Sequence, residues 1–466
     1  MNKKKELVKN TFIIFLGKFS TQFLTFFLLP LYTKFLDSSD YGTIDLIMTY
    51  VTLFVPIITI QYEMGTFRYL IDNRKNKTKQ YEIIYNSLTF FLRLIVFCLM
   101  ISIVISLFID IKNFYLIIFC IISMMLSNLF MQIARGLGKN IDYSISCFFI
   151  GLMNIIFNII LIIPLKMGGT SILISSGISN LVGTLFLFVR LMLFKCIKRE
   201  YKNKEVSRKI LKYSWPLVPN TISWWLINAS DRTIVTWLIS SAANGIYSIS
   251  TKFSAIISSI LNIFNLSWTE SASLHIDDDD RDEFFSGVND QILRLMSSMC
   301  ILLISFMPIL FIIFINKKYI AAYQYIPINI VASFFNCIVS VYSSIYVAKK
   351  MTKQVAMTSF LAAVINIGVD FCLIKFIGLY AASISTAVAY IVMAIYRSID
   401  LRKFVKIKYD KKLILIIVIF FITSILFYYQ DNVFFKIINM FIAIVYLIVI
   451  NRHLLFAVKK KIIRKP

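Results

Sequence analysis

FYLIIFCIISMMLSNLFMQIARGLGKNIDYSISCFFIGLMNIIFNIILII, residues 114–163, holds the pattern that decides the fold. Two apolar runs of about 20 residues flank a polar break at Arg135-Gly136-Leu137-Gly138-Lys139-Asn140. At ~1.5 Å per residue each run crosses a hydrocarbon core about 30 Å thick, so the pair reads as a membrane hairpin. The pattern recurs from end to end. Hydrophobic residues make up 59% of the chain and charged residues 16%, with a mean hydropathy of +0.78. Ordinary soluble domains are roughly a quarter charged, so a soluble fold is excluded. About fourteen spans are expected, near 11–36, 43–68, 81–109, 113–134, 141–165, 170–194, 211–238, 245–270, 288–315, 321–348, 353–376, 378–398, 411–429 and 433–451. The fold class is all-α integral membrane. The opening MNKKKELVKN runs straight into a full-length span, which argues for a retained first helix over a cleaved signal peptide.

A formal net charge of +25 raises nucleic acid as a partner, and the placement of the 49 Lys and Arg residues argues against it. They lie in the polar breaks. With the N-terminus in the cytoplasm, about 37 fall on the inner side, about 7 outside and about 5 within spans, as the positive-inside rule requires. Both termini are then cytoplasmic. The heaviest basic segments, Lys195 to Lys212, Arg397 to Lys412 and Arg452 to Lys465, either set this topology or attract anionic headgroups. Seven cysteines without a CxxC, and two histidines (His275, His453) at helix ends, indicate no disulfide, zinc site or catalytic histidine. The acidic run HIDDDDRDEF (275–284) reads as a solvated loop, since it lacks the Gly turn and terminal Glu of a calcium-binding loop.

Internal repetition organises the spans. KFLDSSDYGTIDL (34–46) follows the first span and TWLISSAANGIYSI (236–249) the seventh, aligning Tyr41-Gly42 with Asn244-Gly245 at a turn. MNIIFNIILI (153–162) answers VINIGVDFCLI (364–374), setting Asn154 and Asn158 opposite Asn366 and Asp370. Each is followed by a Gly-containing turn and a small-residue helix, GGTSILISSGISNLVG (168–183) or IGLYAASISTAVAY (377–390), suited to close packing. The expected plan is 6+6+2, with two pseudo-symmetric lobes of the same orientation around a central cavity. The first lobe and its basic linker occupy 1–210, the second 211–400, and two additional helices with a basic tail 401–466.

Charge inside a span is costly and by default marks a functional pathway. Lys18, Arg68, Arg93 and Arg294 lie toward the inner side, Arg232 and Lys252 toward the outer. Arg68 and Arg294 are near enough to the surface to snorkel, whereas Lys18, Arg93 and Lys252 lie deeper. Arg232 follows Asp231 directly and pairs either with a carboxylate or with a ligand. The acids Glu63, Asp231, Glu270 and Asp370 serve either as counter-ions to cations such as Arg68, Arg294 or Lys375, or as a site for a coupling proton or sodium ion. Trp224 and Trp225, inside the seventh span, either pack on a neighbouring helix or face a cavity.

Asn10, Gly17, Pro30, Tyr32 and Asp40-Tyr41-Gly42, with YSWPLVPNTISWWLINASDRTIV (213–235) and NGIYSISTKF (244–253), resemble the polysaccharide transporter family of bacterial oligosaccharide-lipid flippases. That family includes O-antigen, capsule and teichuronic-acid types, and belongs to the multidrug/oligosaccharidyl-lipid/polysaccharide exporter superfamily. The sharpest part is Pro216, Pro219, Trp224, Asp231, Arg232, Gly245, Ile246, Tyr247 and Lys252. The resemblance implies a non-enzymatic flippase in the bacterial cytoplasmic membrane. It would carry an undecaprenyl-diphosphate-linked oligosaccharide across the bilayer by alternating access, alongside a polysaccharide polymerase and glycosyltransferases. Lys18, Arg93, Lys252, Arg232, Arg68 and Arg294 are then candidates for the diphosphate and sugar, since guanidinium forks and ammonium groups pair with phosphate oxygens. No cofactor is implied, and coupling to protons, sodium or membrane potential stays open. A drug or cation exporter of the same superfamily would call for deep acids, and the deep charges here are mostly basic. A membrane polymerase would call for a large outer loop, and every outer loop is short.

Overall fold

The computed structural model describes residues 17, 21, 24–110 and 112–452. The chain forms two compact units, Met1–Ala229 and Ser230–Pro466. In the first are α1 (Leu29–Phe35), α2 (Ser38–Ile58), α3 (Tyr62–Asp72), α4 (Lys77–Phe108), α5 (Phe114–Gly136), α6 (Asn140–Ile162), α7 (Thr170–Arg190) and α8 (Lys204–Ser214). The division falls inside α9 (Val218–Leu238). The second unit continues with α10 (Ser241–His275), α11 (Arg281–Phe314), α12 (Ile326–Ala348), α13 (Thr352–Ile377), α14 (Tyr380–Leu401), α15 (Lys411–Tyr428) and α16 (Val433–Ile450). Short polar side chains cap several helix starts by accepting from otherwise orphaned N–H groups. Asn76 accepts from Lys79 N, Ser240 from Ala243 N, Asp410 from Lys412 N and Asn432 from Phe434 N.

Among the described residues, eleven helices are long and apolar enough to cross a membrane, so the chain is a multi-pass membrane protein. The difference from the expected fourteen has three sources. The first span lies largely outside the described residues. The seventh and eighth correspond to α9 and α10, 21 and 35 residues long; α9 is too polar to be counted by hydropathy, and several side chains of α10 lie outside the described residues. Two expected spans are also interrupted. The one expected over 43–68 breaks between α2 and α3, where Ile60 and Gln61 take left-handed φ values of 53° and 54°. The one expected from residue 211 begins instead at Val218, because a 3-10 turn at Trp215–Leu217 carrying Pro216 separates it from α8. Pro30 and Pro219 also sit in first helical turns, where a missing N–H costs little. Pro56, by contrast, sits inside α2.

The repeat is realised as packing within each unit. In the first, α7 packs against both α5 and α6, burying Ser171, Ser175, Gly177, Ser179 and Gly183. Ser146 Oγ donates to Gly183 O at 3.1 Å, an approach that a small residue permits. In the second, α14 packs against both α12 and α13 through Ala381, Ala382, Ser385 and Ala389. Both helix pairs turn on a glycine with positive φ, Gly168 at 61° and Gly378 at 57°. With ψ at −135°, Gly378 occupies a region closed to residues with a Cβ.

The last two helices lie against α11 along a ladder of buried polar contacts. Asn451 Nδ2 donates to Ser298 Oγ at 2.8 Å, and Ser297 Oγ meets Tyr446 OH at 2.8 Å. One turn and more away, Ser305 Oγ lies 3.0 Å from both Ser424 Oγ and Asn439 Oδ1. A second pin is Arg397, which is fully buried and, among the described residues, carries no carboxylate on its fork. Its Nε and Nη2 donate to Thr358 Oγ1 at 3.0 and 2.7 Å, Nη2 also to Ser359 Oγ at 3.2 Å, and Nη1 to Val339 O at 3.1 Å and to Ser343 Oγ. One side chain thereby ties α12, α13 and α14. Arg397→Leu strands those acceptors in an apolar surrounding and should destabilise the purified protein by on the order of 3 kcal/mol in thermal unfolding. Arg397→Lys, which keeps charge but loses the fork, should fall between.

Candidate functional site

Asn366 and Asp370 stand four residues apart on α13 and therefore share one helix face. That face meets Ser230 and Asp231 of α9, Tyr247 of α10, and Ser385 and Thr386 of α14. Tyr247 OH and Thr386 Oγ1 both donate to Asp231 Oδ2, at 2.8 and 2.6 Å. Asn366 Nδ2 donates to Thr386 Oγ1 at 3.2 Å and Ser385 Oγ at 3.3 Å, while its Oδ1 accepts from Ser230 Oγ at 3.1 Å. Four helices thus converge on two acids. Asp231 is 3% exposed and Asp370 is 0% exposed, and each acts electrostatically on the other. The adjacent Arg232 also bears on Asp231.

The hydrogen bonds leave a remainder. Asp231 Oδ1 and both carboxyl oxygens of Asp370 are buried without a hydrogen-bond partner. A buried carboxyl oxygen in that position is stabilised by a proton or by a cation, and two such groups side by side resist being charged together. Sequence reading named Asp231 and Asp370 without joining them. Tyr247, Thr386 and Ser230 were not singled out as ligands; Tyr247 stood in a motif, but nothing in the local spacing of Thr386 or Ser230 marks them.

The remaining candidates are dispersed. Lys18 lies outside the described residues, and so does the side chain of Glu270 on α10. Arg93 is exposed midway along α4, on a face it shares with exposed Val96, Phe97 and Met100. Arg232 and Lys252 are half-buried, on α9 and α10. Arg68 is exposed and 3.5 Å from Asp72. Arg294 is held by Asp410 at 3.7 Å and by the Ile450 carbonyl at 3.4 Å, and so joins α11 to the terminal pair. Glu63 is 5% exposed in the first turn of α3, with Oε2 unpartnered, directly after the break in the second span. Trp225 packs on the neighbouring α2, its Nε1 donating to Thr49 O at 3.0 Å and its ring 6.0 Å from that of Tyr50.

Residues 7–268, more than half of the chain, match the sequence family described as "Polysaccharide biosynthesis protein". The chain belongs to that family. Its fold is shared with a solved flippase and with solved transporters. The structure entitled "Lipid II flippase MurJ, inward closed conformation" is 16% identical, with a TM-score of 0.70 over 96% of this chain and 100% of that one. An inward-facing multidrug resistance MATE family transporter of the MOP superfamily is 13% identical, with a TM-score of 0.70 over 82% of this chain and 95% of that one. An outward-facing one is 13% identical with a TM-score of 0.60, over 86% and 96%. A search of curated proteins gave no match.

Thr386→Val keeps the shape but deprives Asp231 of one of its two donors to Oδ2. It should lower the unfolding free energy by about 1–3 kcal/mol, read as a drop in melting temperature. Arg68→Gln, which removes an exposed i,i+4 pair, should change it by less than about 0.5 kcal/mol.

Proposed function

We propose that this protein is a cation-coupled flippase that moves a polyprenyl-diphosphate-linked oligosaccharide, of the undecaprenyl type, from the inner to the outer leaflet of a bacterial cytoplasmic membrane. Family membership supports a place in polysaccharide biosynthesis, and the full-length likeness to a lipid II flippase supports a lipid-linked cargo. The observation that carries the coupling is the pair of buried carboxyls with three unpartnered oxygens, which suits a proton or a monoatomic cation. Cargo recognition falls to cations set in apolar runs, with Arg93, Arg232, Lys252 and Lys18 as the candidates. Arg68 and Arg294 then serve the structure. In this reading the termini are cytoplasmic, transport proceeds by alternating access, and the products feed a polymerase supplied by glycosyltransferases, as for capsule or O-antigen.

A drug exporter also uses acids, and the exporter likeness raises that reading. Acids that are 0% and 3% exposed suit a small ion better than a drug-sized molecule.

Two measurements test the proposal. Deleting the gene should accumulate the lipid-linked repeat unit on the inner leaflet, seen by labelling with a membrane-impermeant sugar probe; unchanged labelling would refute the cargo. Asp370→Asn and Asp231→Asn should each reduce transport at least about 10-fold, equivalent to ~1.4 kcal/mol, and erase the cation- or pH-dependence of the melting temperature while leaving the protein folded. Retention of that dependence in both variants would remove the site from the mechanism.

A further inference from the structure

The segment between α7 and α9 carries eight basic residues (Lys195, Lys198, Arg199, Lys202, Lys204, Arg208, Lys209, Lys212) and two acidic ones, Glu200 and Glu205. A run this basic ordinarily repels itself and extends into water. Here it is tied down within the first unit. Asn86 of α4 donates to Tyr201 O at 3.1 Å and accepts from Asn203 N at 3.2 Å. Tyr62 OH meets Ser207 Oγ at 3.0 Å, and Leu193, Cys196, Ile210 and Ser214 are buried. The pinned face is spent on α3 and α4.

The opposite face is not uniformly polar. All eight basic side chains are exposed, and among them stand Phe194, Ile197 and Trp215, exposed by 53%, 56% and 58%. Large apolar side chains interleaved with cations are poorly suited to water and well suited to a bilayer interface. There the rings sit at headgroup depth and the ammonium and guanidinium groups reach lipid phosphates. The two acids pair loosely with Lys198 and Lys209, at 3.7 and 3.9 Å, leaving the other six cations outside those pairs.

We propose that residues 192–217 form a rigid docking surface for the anionic phospholipid headgroups of the adjoining leaflet, with Trp215 and Phe194 as interfacial anchors. The argument is charge complementarity on a segment ordered from within the protein and carrying its own apolar anchors. Such a surface fixes the membrane depth of the linker between the two repeats. It makes the protein dependent on anionic lipid, a property separate from the cargo and the coupling ion.

The test uses the purified full-length protein in nanodiscs of phosphatidylcholine alone or with phosphatidylglycerol. The wild type should melt several degrees higher with phosphatidylglycerol, and a variant with Lys195, Lys198, Lys204 and Arg208 all changed to Gln should lose most of that gain. Neutralising Lys406, Lys408, Lys411 and Lys412 should leave it largely intact. An undiminished gain in the linker variant, or equal loss in both, would overturn the proposal. A second measurement needs no charge change: brominated phosphatidylglycerol should quench tryptophan fluorescence more than brominated phosphatidylcholine, and Trp215→Phe should remove the difference. If that difference survives Trp215→Phe, the linker is not the docking surface.

Discussion

A hydrocarbon interior supplies no hydrogen bonds, so every polar group carried into it must find its partner within the protein. That constraint accounts for more of this structure than any single contact. It explains why Arg397 is enclosed by hydroxyls and carbonyls of two neighbouring helices. It also explains how two helices with no repeat counterpart are held. Apolar surfaces gain little by meeting each other in lipid, so the terminal pair is joined to α11 through Ser297, Ser298, Ser305, Asn439 and Tyr446. Arg294 belongs to that joint. Asp410 pairs with it at the start of the terminal pair, which gives this cation a structural role.

Other buried polar atoms of the described residues also lack a partner, but a carboxyl with open oxygens is the costliest case, and two such carboxyls side by side carry information. Asp370 has two open oxygens, and Asp231 has one, within a cluster whose other members are satisfied. The cost of burying an unpartnered carboxyl is several times that of an unpaired hydroxyl, and here it is incurred twice in one place. Glu63 shows the same signature singly, beside a pair of left-handed non-glycine residues that themselves cost about 1–3 kcal/mol each. The first turn of α3 lends that carboxyl some stabilisation from the helix dipole, an aid that Asp370, in the third turn from the end of α13, does not have.

The class of fold was legible because length and apolarity are additive properties of a run of residues; the span at 141–165 needed no partner to be recognised. The spans that blurred were those where the chain departs from that average. α9 is polar where it carries Ser230 and Asp231, and the second span broke at Thr59–Gln61 through backbone conformations that no residue type there announces. Of the site, the acids were visible as charges in apolar surroundings. Their meeting was not, since Asp231 and Asp370 are 139 residues apart in sequence, and the donors that select which oxygens stay open are ordinary hydroxyls at Tyr247 and Thr386. The opposite error concerned Arg397, read from sequence as the start of a basic loop and found wholly buried.

The repeat gives the site its contrast. Aligned by sequence, Asn158 of α6 falls opposite Asp370 of α13, and Asn154 opposite Asn366. In the first unit the two amides close on each other, Asn158 Nδ2 donating to Asn154 O at 2.8 Å and to Asn154 Oδ1 at 2.5 Å. An amide brings its own donor and can bond to its neighbour one turn away. A carboxylate brings acceptors alone, so Asp370 cannot repeat that closure and Asn366 turns instead to Ser385 and Thr386. Between these aligned positions, a neutral amide pair with Asn158 Oδ1 left open stands against a carboxyl with both oxygens open, the group whose burial costs more. At this helix position, the open carboxyl oxygens belong to the second unit.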